Sequence, residues 1–292
     1  MTDALATISS GKLTAGITPA GAELQHLTTS EGRELLWGGD PSYWTGRAPV
    51  LFPVIGMLAG GGYRLDGKSY AMPKHGFARH STFDIAQRAA DAVTLRLSAS
   101  DATRALYPFE FQLDIRFSLA GSTFTVAALI ANAGDVSMPA SFGFHPALRW
   151  PLPYGEPRSE HWLRFAADEP APVRRIDHAG LLLPGAEQTP VVGNTLLLRD
   201  DLFIADALIF DRLASRSVTY GAQRGPKIEI DFANFPMLGV WTKPGAEFIC
   251  IEPWQGLSDP VGFVDDIRKK PGIIEIAPGA SRQFAMQISL LD

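Results

Sequence analysis

The chain has 292 residues, of which 46% are hydrophobic and 20% charged, with a net charge of −5. This length suits one large all-β domain or two ordinary ones, and the balance is that of a globular protein. The charge argues against a broad cationic face for nucleic acid. No apolar run reaches the roughly 18 residues of a membrane span, and a single cysteine, Cys250, excludes an internal disulfide.

In chain order, the opening Met1-Thr2-Asp3-Ala4 lacks the basic start and apolar core of a leader, so a cytoplasmic setting is expected. Gly60-Gly61-Gly62 is followed by no Gly-Lys-Ser/Thr and reads as a strand turn rather than a phosphate loop. Tyr63 to Tyr70 reads as a hairpin turning at Asp66-Gly67. Val93, Leu95 and Leu97 mark a strand. Phe109, Phe111, Leu113, Ile115, Phe117 and Leu119 alternate with polar residues, the pattern of a strand with one wet face. Ala120-Gly121 permits a turn into a second period-two run through Phe124, Val126, Ala128 and Ile130.

The proline- and glycine-bearing stretch Leu152 to Glu160 reads as a surface loop, because the strand patterns on both sides are alike. Ile228, Ile230 and Phe232 form a further strand, and Phe284, Met286 and Ile288 close the chain after the turn Pro278-Gly279. No segment carries a long helical period, so helix should be short and minor. Scattered turns and many antiparallel strands predict an all-β, large antiparallel sandwich of two packed sheets, as one domain over residues 1–292.

Three short segments carry the candidate chemistry. In Ser141-Phe142-Gly143-Phe144-His145-Pro146, alternation sets Ser141, Gly143 and His145 on one face and turns Phe142 and Phe144 toward apolar packing. Gly143 leaves room beside the imidazole that a ligand could fill. A core histidine bonded to a carbonyl is the plainer alternative. In Phe248-Ile249-Cys250-Ile251-Glu252, the carboxylate ends an apolar strand, where burial is costly unless it is paired or used. Burial would raise its pKa toward that of a working base. The alternative is a strand-end salt bridge. Trp254 offers an indole face to the apolar side of a sugar ring, and Cys250 reads as a small buried hydrophobe rather than a nucleophile.

In His75-Gly76-Phe77-Ala78-Arg79, an extended backbone would set His75, Phe77 and Arg79 on one face, suited to hydroxyl oxygens or an anion, with His80 turned away. A solvated loop is the alternative. His75, His80 and His145 lack any short metal-ligand spacing, so no metal is expected. His26, His161 and His178 lie in polar contexts and read as surface residues.

These segments, in this order, resemble the aldose 1-epimerase (galactose mutarotase-like) family, in its bacterial mutarotase-like branch. The likeness runs through Gly21-Ala22-Glu23-Leu24, Leu36-Trp37, Pro49-Val50-Leu51-Phe52-Pro53, the His75 segment, Tyr107-Pro108-Phe109, Met138-Pro139, Gly143-Phe144-His145-Pro146 and Glu252-Pro253-Trp254. The resemblance implies a galactose mutarotase-like super-sandwich with an open sugar cleft and no cofactor. It implies His145 as the general acid at the ring oxygen and Glu252 as the general base at the anomeric hydroxyl, on opposite sides of the sugar. Further, it implies His75 and Asp206 as substrate-binding residues, and Arg79 and Trp254 are read with them as shaping the pocket, with Arg47 or Arg79 as stand-ins for an arginine that this chain lacks. The partner implied is a small-molecule sugar, with the protein a monomer or homodimer.

One departure from the resemblance stands out: many members of that family carry an arginine after the glycine aligned with Gly56, and here that residue is Met57. Arg47 and Arg79 keep open a hexose 6-phosphate epimerase, and Met57 keeps open a sugar-binding module without turnover. The pair His145 and Glu252 favours an enzyme acting on a free aldose.

Overall fold

In the computed structural model, which describes residues 5–292, the alternating segments are antiparallel strands whose apolar halves meet in one core. Met1-Thr2-Asp3-Ala4, read above for a leader, lies outside the described residues. The larger sheet has nine strands. Its centre is the hairpin Phe111–Ala120 and Thr123–Asn132, flanked by Ala92–Ser98 on one side and the long final strand Ser281–Leu291 on the other. Phe111, Leu113, Ile115, Phe117 and Leu119 are buried, while the opposite face is wet enough to hold Arg96 against Asp114 at 2.7 Å. Phe109 is buried but lies ahead of the strand. Pro108 has no N–H to donate there, and Phe109 N–H turns back to the Tyr107 carbonyl at 2.8 Å.

The second sheet has six strands and carries the site. Phe248–Gln255 is its spine, paired with Met237–Trp241 on one edge and with both Phe142–Phe144 and Ala147–Arg149 on the other. Period-two alternation divides this sheet cleanly. Leu238, Val240, Ile249 and Ile251 enter the main core, whereas Phe248, Cys250 and Trp254 face away from it. Phe142 stacks on Phe284 of the nine-stranded sheet at 5.4 Å between ring centroids, so the two sheets meet through their aromatic inner faces.

Helix is as scarce as the sequence suggests. The only α-helix among the described residues is Asp101–Leu106, closed at its start by a Ser100–Thr103 capping box. The hairpin at Asp66-Gly67 forms between Gly62–Leu65 and Lys68–Ala71. No helix among the described residues is long and apolar enough to cross a membrane.

His161 corrects the surface reading. It is buried, and its Nε2 accepts the Leu152 N–H at 3.1 Å while Nδ1 lies 2.9 Å from the Pro157 carbonyl. The imidazole thereby pins the Leu152–Glu160 loop against the sheet. His26 and His178 are exposed, as expected.

Candidate active site

Strand register brings the central pair together. Gly143 lies opposite Trp254, and Ala147 lies opposite Cys250. Between those fixed points His145 falls opposite Glu252, on the face turned away from the core. His145 Nε2 stands 3.0 Å from Glu252 Oε2, both nearly buried. The contact is off the line of a hydrogen bond, so among the described residues Oε2 has no well-aligned partner, nor do His145 Nδ1 and Trp254 Nε1, although the indole N–H is near enough to the carboxylate to favour its charged form. Three buried polar atoms without well-aligned partners in one cavity are what a polyhydroxy ligand would satisfy.

Burial sets the proton affinities. It pulls His145 down to about 3, helped by the positive charges of Arg79 and Lys74 and opposed by a backbone hydrogen bond. Burial also pushes Glu252 well above the usual carboxylate range; Lys74 opposes this, Asp206 adds to it, and Trp254 and Arg79 oppose it. Both groups are driven toward their uncharged forms, so between the two shifted values the pair holds one proton.

The floor beside this pair is the Trp254 indole. A β-carbon on Gly143 would lie 2.7 Å from Trp254 Cδ1, and one on Gly239 would lie 2.5 Å from its Cη2. Glycines on the two strands that flank the Trp254 strand therefore let the ring lie flat on the sheet.

The segment holding His75 is not extended. His75 has a φ of +66°, and Ala78–His80 forms a 3-10 turn. Phe77 consequently leaves the shared face expected of it and packs against Phe52, Tyr107 and Phe111 in the core. The tight approach of Gly76 to Phe52 forces this turn, since a β-carbon there would lie 2.1 Å from the Phe52 carbonyl oxygen. His75 and Arg79 still both reach the cavity. His75 Nδ1 accepts the Gly56 N–H at 3.1 Å, which leaves the ring proton on Nε2. Burial, with His145 nearby, holds His75 well below its ordinary pKa. Arg79 is lowered by burial, against the pull of Glu23 and Glu252.

Asp206 stands on the rim in a left-handed turn, its Oδ1 accepting the Ala207 N–H at 2.7 Å. The Arg175 guanidinium braces that turn through the Asp206 carbonyl at 2.9 Å. Arg47 does not line the cavity. Its Nη1 donates to the Gln25 carbonyl at 2.8 Å, and its backbone N–H is held by Glu23, so the side chain is committed to the neighbouring strand. His80 is exposed outside the cavity, which removes the three-histidine set. His145, Cys250 and Glu252 do place one ligand atom each within 4.8 Å of one another. Burial raises the Cys250 thiol well above its ordinary pKa, however, and a protonated thiol is a poor metal ligand.

Three lining residues had no signal of their own in the sequence. Trp44 packs at 4.9 Å from the His145 ring, and Trp241 meets the same ring edge-on at 6.0 Å. Lys74 lines the cavity beside His75. Only the last had a cue, its adjacency to a marked segment.

A buried imidazole–carboxylate pair, an indole floor and several polar side chains thus share one cavity of the β-sandwich. The aldose 1-epimerase family profile matches residues 4–289. The chromosomal LacX protein of Lactococcus lactis subsp. lactis is 30% identical over 290 residues, covering 96% of this chain and 97% of that one. Among solved structures, a galactose mutarotase-like protein from Lactobacillus casei superposes with a TM-score of 0.90 at 31% identity, over 98% of this chain and 99% of the other. A galactose mutarotase related enzyme from Lactobacillus acidophilus gives 0.89 at 26% identity, over 99% and 97%. The chain belongs to the aldose 1-epimerase family, a family of isomerases that interconvert sugar anomers.

Proposed function

We propose that this protein is a cofactor-independent aldose 1-epimerase acting on a free aldose, with His145 and Glu252 as its acid–base pair. The observation that carries the reading is the 3.0 Å approach of His145 Nε2 to a Glu252 oxygen that has no well-aligned hydrogen-bond partner among the described residues. The ring oxygen and the anomeric hydroxyl oxygen of an aldose are bonded to the same carbon. An acid for one and a base for the other can therefore stand side by side, as the 3.0 Å approach of His145 and Glu252 allows.

In ring opening, the shared proton first passes from Glu252 to His145 across their 3.0 Å contact; His145 then gives it to the ring oxygen while the Glu252 carboxylate takes the anomeric hydroxyl proton. The C1–O5 bond breaks and C1 becomes an aldehyde carbonyl. The pair still holds one proton, now on the carboxyl group, beside a neutral imidazole. That is the distribution burial favours. Rotation about C1–C2 and closure on the other face return the proton. His75 Nε2–H donates to a sugar oxygen, Arg79 and Lys74 steady developing negative charge, Asp206 accepts from a hydroxyl at the rim, and Trp254 carries the apolar face of the ring. The hexose 6-phosphate alternative loses Arg47, which is held outside the cavity.

Anomer interconversion, followed by polarimetry or saturation-transfer NMR on free aldoses and hexose 6-phosphates, tests this. Wild type should accelerate a free aldose. Glu252→Gln and His145→Gln should each lose about 10²- to 10⁴-fold in kcat with a small change in KM. A folded protein that binds an aldose without accelerating it is a binding module, and the catalytic reading falls.

A further inference from the structure

The cavity at His145 and Glu252 does not end at Asp206. Its volume is about 280 Å³, and it adjoins a second, open-sided chamber of about 620 Å³. The two share Lys74, Ile176, Asp206 and Trp241 as a waist. A single aldose ring with its anomeric carbon at the acid–base pair occupies the first chamber and leaves the larger one to solvent.

The walls of the second chamber say what it suits. Among the described residues its charged lining is Lys74 and Lys243 against Asp177 and Asp206, two of each sign, with no arginine. Asp177 is already occupied, its Oδ1 accepting the N–H groups of Ala179 and Leu181 at 2.9 Å each. Lys243 is drawn toward Tyr43, with Nζ 3.4 Å from the Tyr43 carbonyl oxygen. A phosphate dianion would therefore find neither a guanidinium fork nor a net positive wall.

Apolar surface supplies the rest. Met57 reaches in to touch Gly180, where a β-carbon would lie 2.7 Å from Met57 Cγ, and Ile204 is 78% exposed on the far wall. Apolar faces with a few hydrogen-bonding groups, charge-balanced overall, match a neutral polyhydroxy ring.

We propose that the second chamber is a subsite for a second sugar ring, so that the preferred substrate is a reducing disaccharide. Its reducing unit is opened between His145 and Glu252, and its non-reducing unit lies against Ile204 and Met57, with Lys74 and Asp206 bonding hydroxyls at the junction. This inference rests on the epimerase reading and adds the substrate class to it. Binding energy from the remote ring then contributes to kcat/KM at the reacting one.

The test compares disaccharides with 1→4 and 1→6 linkages (maltose, cellobiose, lactose, isomaltose, melibiose) with glucose, their common reducing unit, and with glucose 6-phosphate. Wild type is run beside Ala179→Trp, which fills the second chamber at an exposed position away from the acid–base pair. The best disaccharide should exceed glucose by about tenfold or more in kcat/KM. Ala179→Trp should erase that advantage and leave the glucose rate within about twofold, which also reports an intact fold.

Acceleration of glucose with no disaccharide advantage overturns the subsite and leaves the epimerase standing. So does an advantage that survives Ala179→Trp, whereas a preference for glucose 6-phosphate overturns the subsite and the free-aldose reading together. Failure to accelerate any sugar, across these and other free aldoses, takes both readings down.

Discussion

Gly56 and His75 hold each other by two hydrogen bonds: the Gly56 N–H donates to His75 Nδ1 at 3.1 Å, and the His75 N–H donates to the Gly56 carbonyl at 3.0 Å. A backbone N–H needs a lone pair to bond to, so the imidazole proton is confined to Nε2. His75 is thus a fixed neutral donor rather than a second titrating base.

Nitrogen-resolved NMR of the histidine rings should show His75 with Nδ1 bare and Nε2 protonated. This state should persist from about pH 8 to about pH 6, because burial holds the ring well below its ordinary pKa. A His75 ring that gains a proton near its ordinary value would contradict the assignment.

The acid–base pair should leave a signature in stability. His145 is lowered to about 3 and Glu252 is raised, against ordinary values of 6.5 and 4.5. Above pH 4.5 the unfolded Glu252 is ionised while the native carboxyl keeps its proton, so its contribution to stability falls as pH rises toward the raised native value. Below pH 6.5 the unfolded His145 is protonated while the native ring stays neutral, so its contribution falls as pH drops toward 3. From 4.5 upward to 6.5 the two slopes oppose each other. The difference in unfolding free energy between wild type and His145→Gln/Glu252→Gln should therefore be flat in the middle and decline on both sides. The limiting slope is about 1.4 kcal/mol per pH unit. Denaturant titrations at a series of pH values measure it, and a difference with a steady slope across the middle window would count against a shared proton.

Lys74 acts on both members of the pair in the same direction, opposing protonation of His145 and of Glu252. Replacing it with methionine removes that field at similar length. The pH profile of kcat/KM for Lys74→Met should move upward on both limbs relative to wild type. A fall in rate with unmoved limbs would mean that Lys74 only binds substrate.

The indole floor should be sensitive to a single carbon. Gly239→Ala places a methyl 2.5 Å from Trp254 Cη2, too close for both to stay. The ring must tilt off the sheet, at a cost of about 1–3 kcal/mol in stability. KM for the sugar should rise several-fold more than kcat falls, because the ring carries binding rather than proton transfer. Equal KM values in Gly239→Ala and wild type would remove Trp254 from the binding surface.

Local pattern made much of the fold legible. The run from Phe111 to Leu119 declares its buried face because alternation is a property of neighbouring residues, and the facing of Phe142 and Phe144 against Gly143 followed from the same rule. The contact between His145 and Glu252 did not, because it depends on the register of two strands far apart in sequence. Phe77 left its expected face because Gly76 must pass close to Phe52, a tertiary constraint with no local trace. Arg47 looked as available as Arg79, but the Gln25 carbonyl holds it elsewhere. Lys74, exposed and unpatterned, becomes a site residue only when the turn beside it places His75 in the cavity.

The Trp254 floor has a consequence for how such a site can diversify. It is made by subtraction: two strands give up their side chains at Gly143 and Gly239 so that one ring can lie on bare backbone. Any replacement at either position can only add atoms, so the floor has no neighbouring variant to drift toward. New preferences among sugars must be written into the connecting segments around Ile176 to Gly180, Phe203 to Asp206 and Thr242 to Pro244, where walls can be lengthened or recharged while the reacting carbon stays where the sheet puts it.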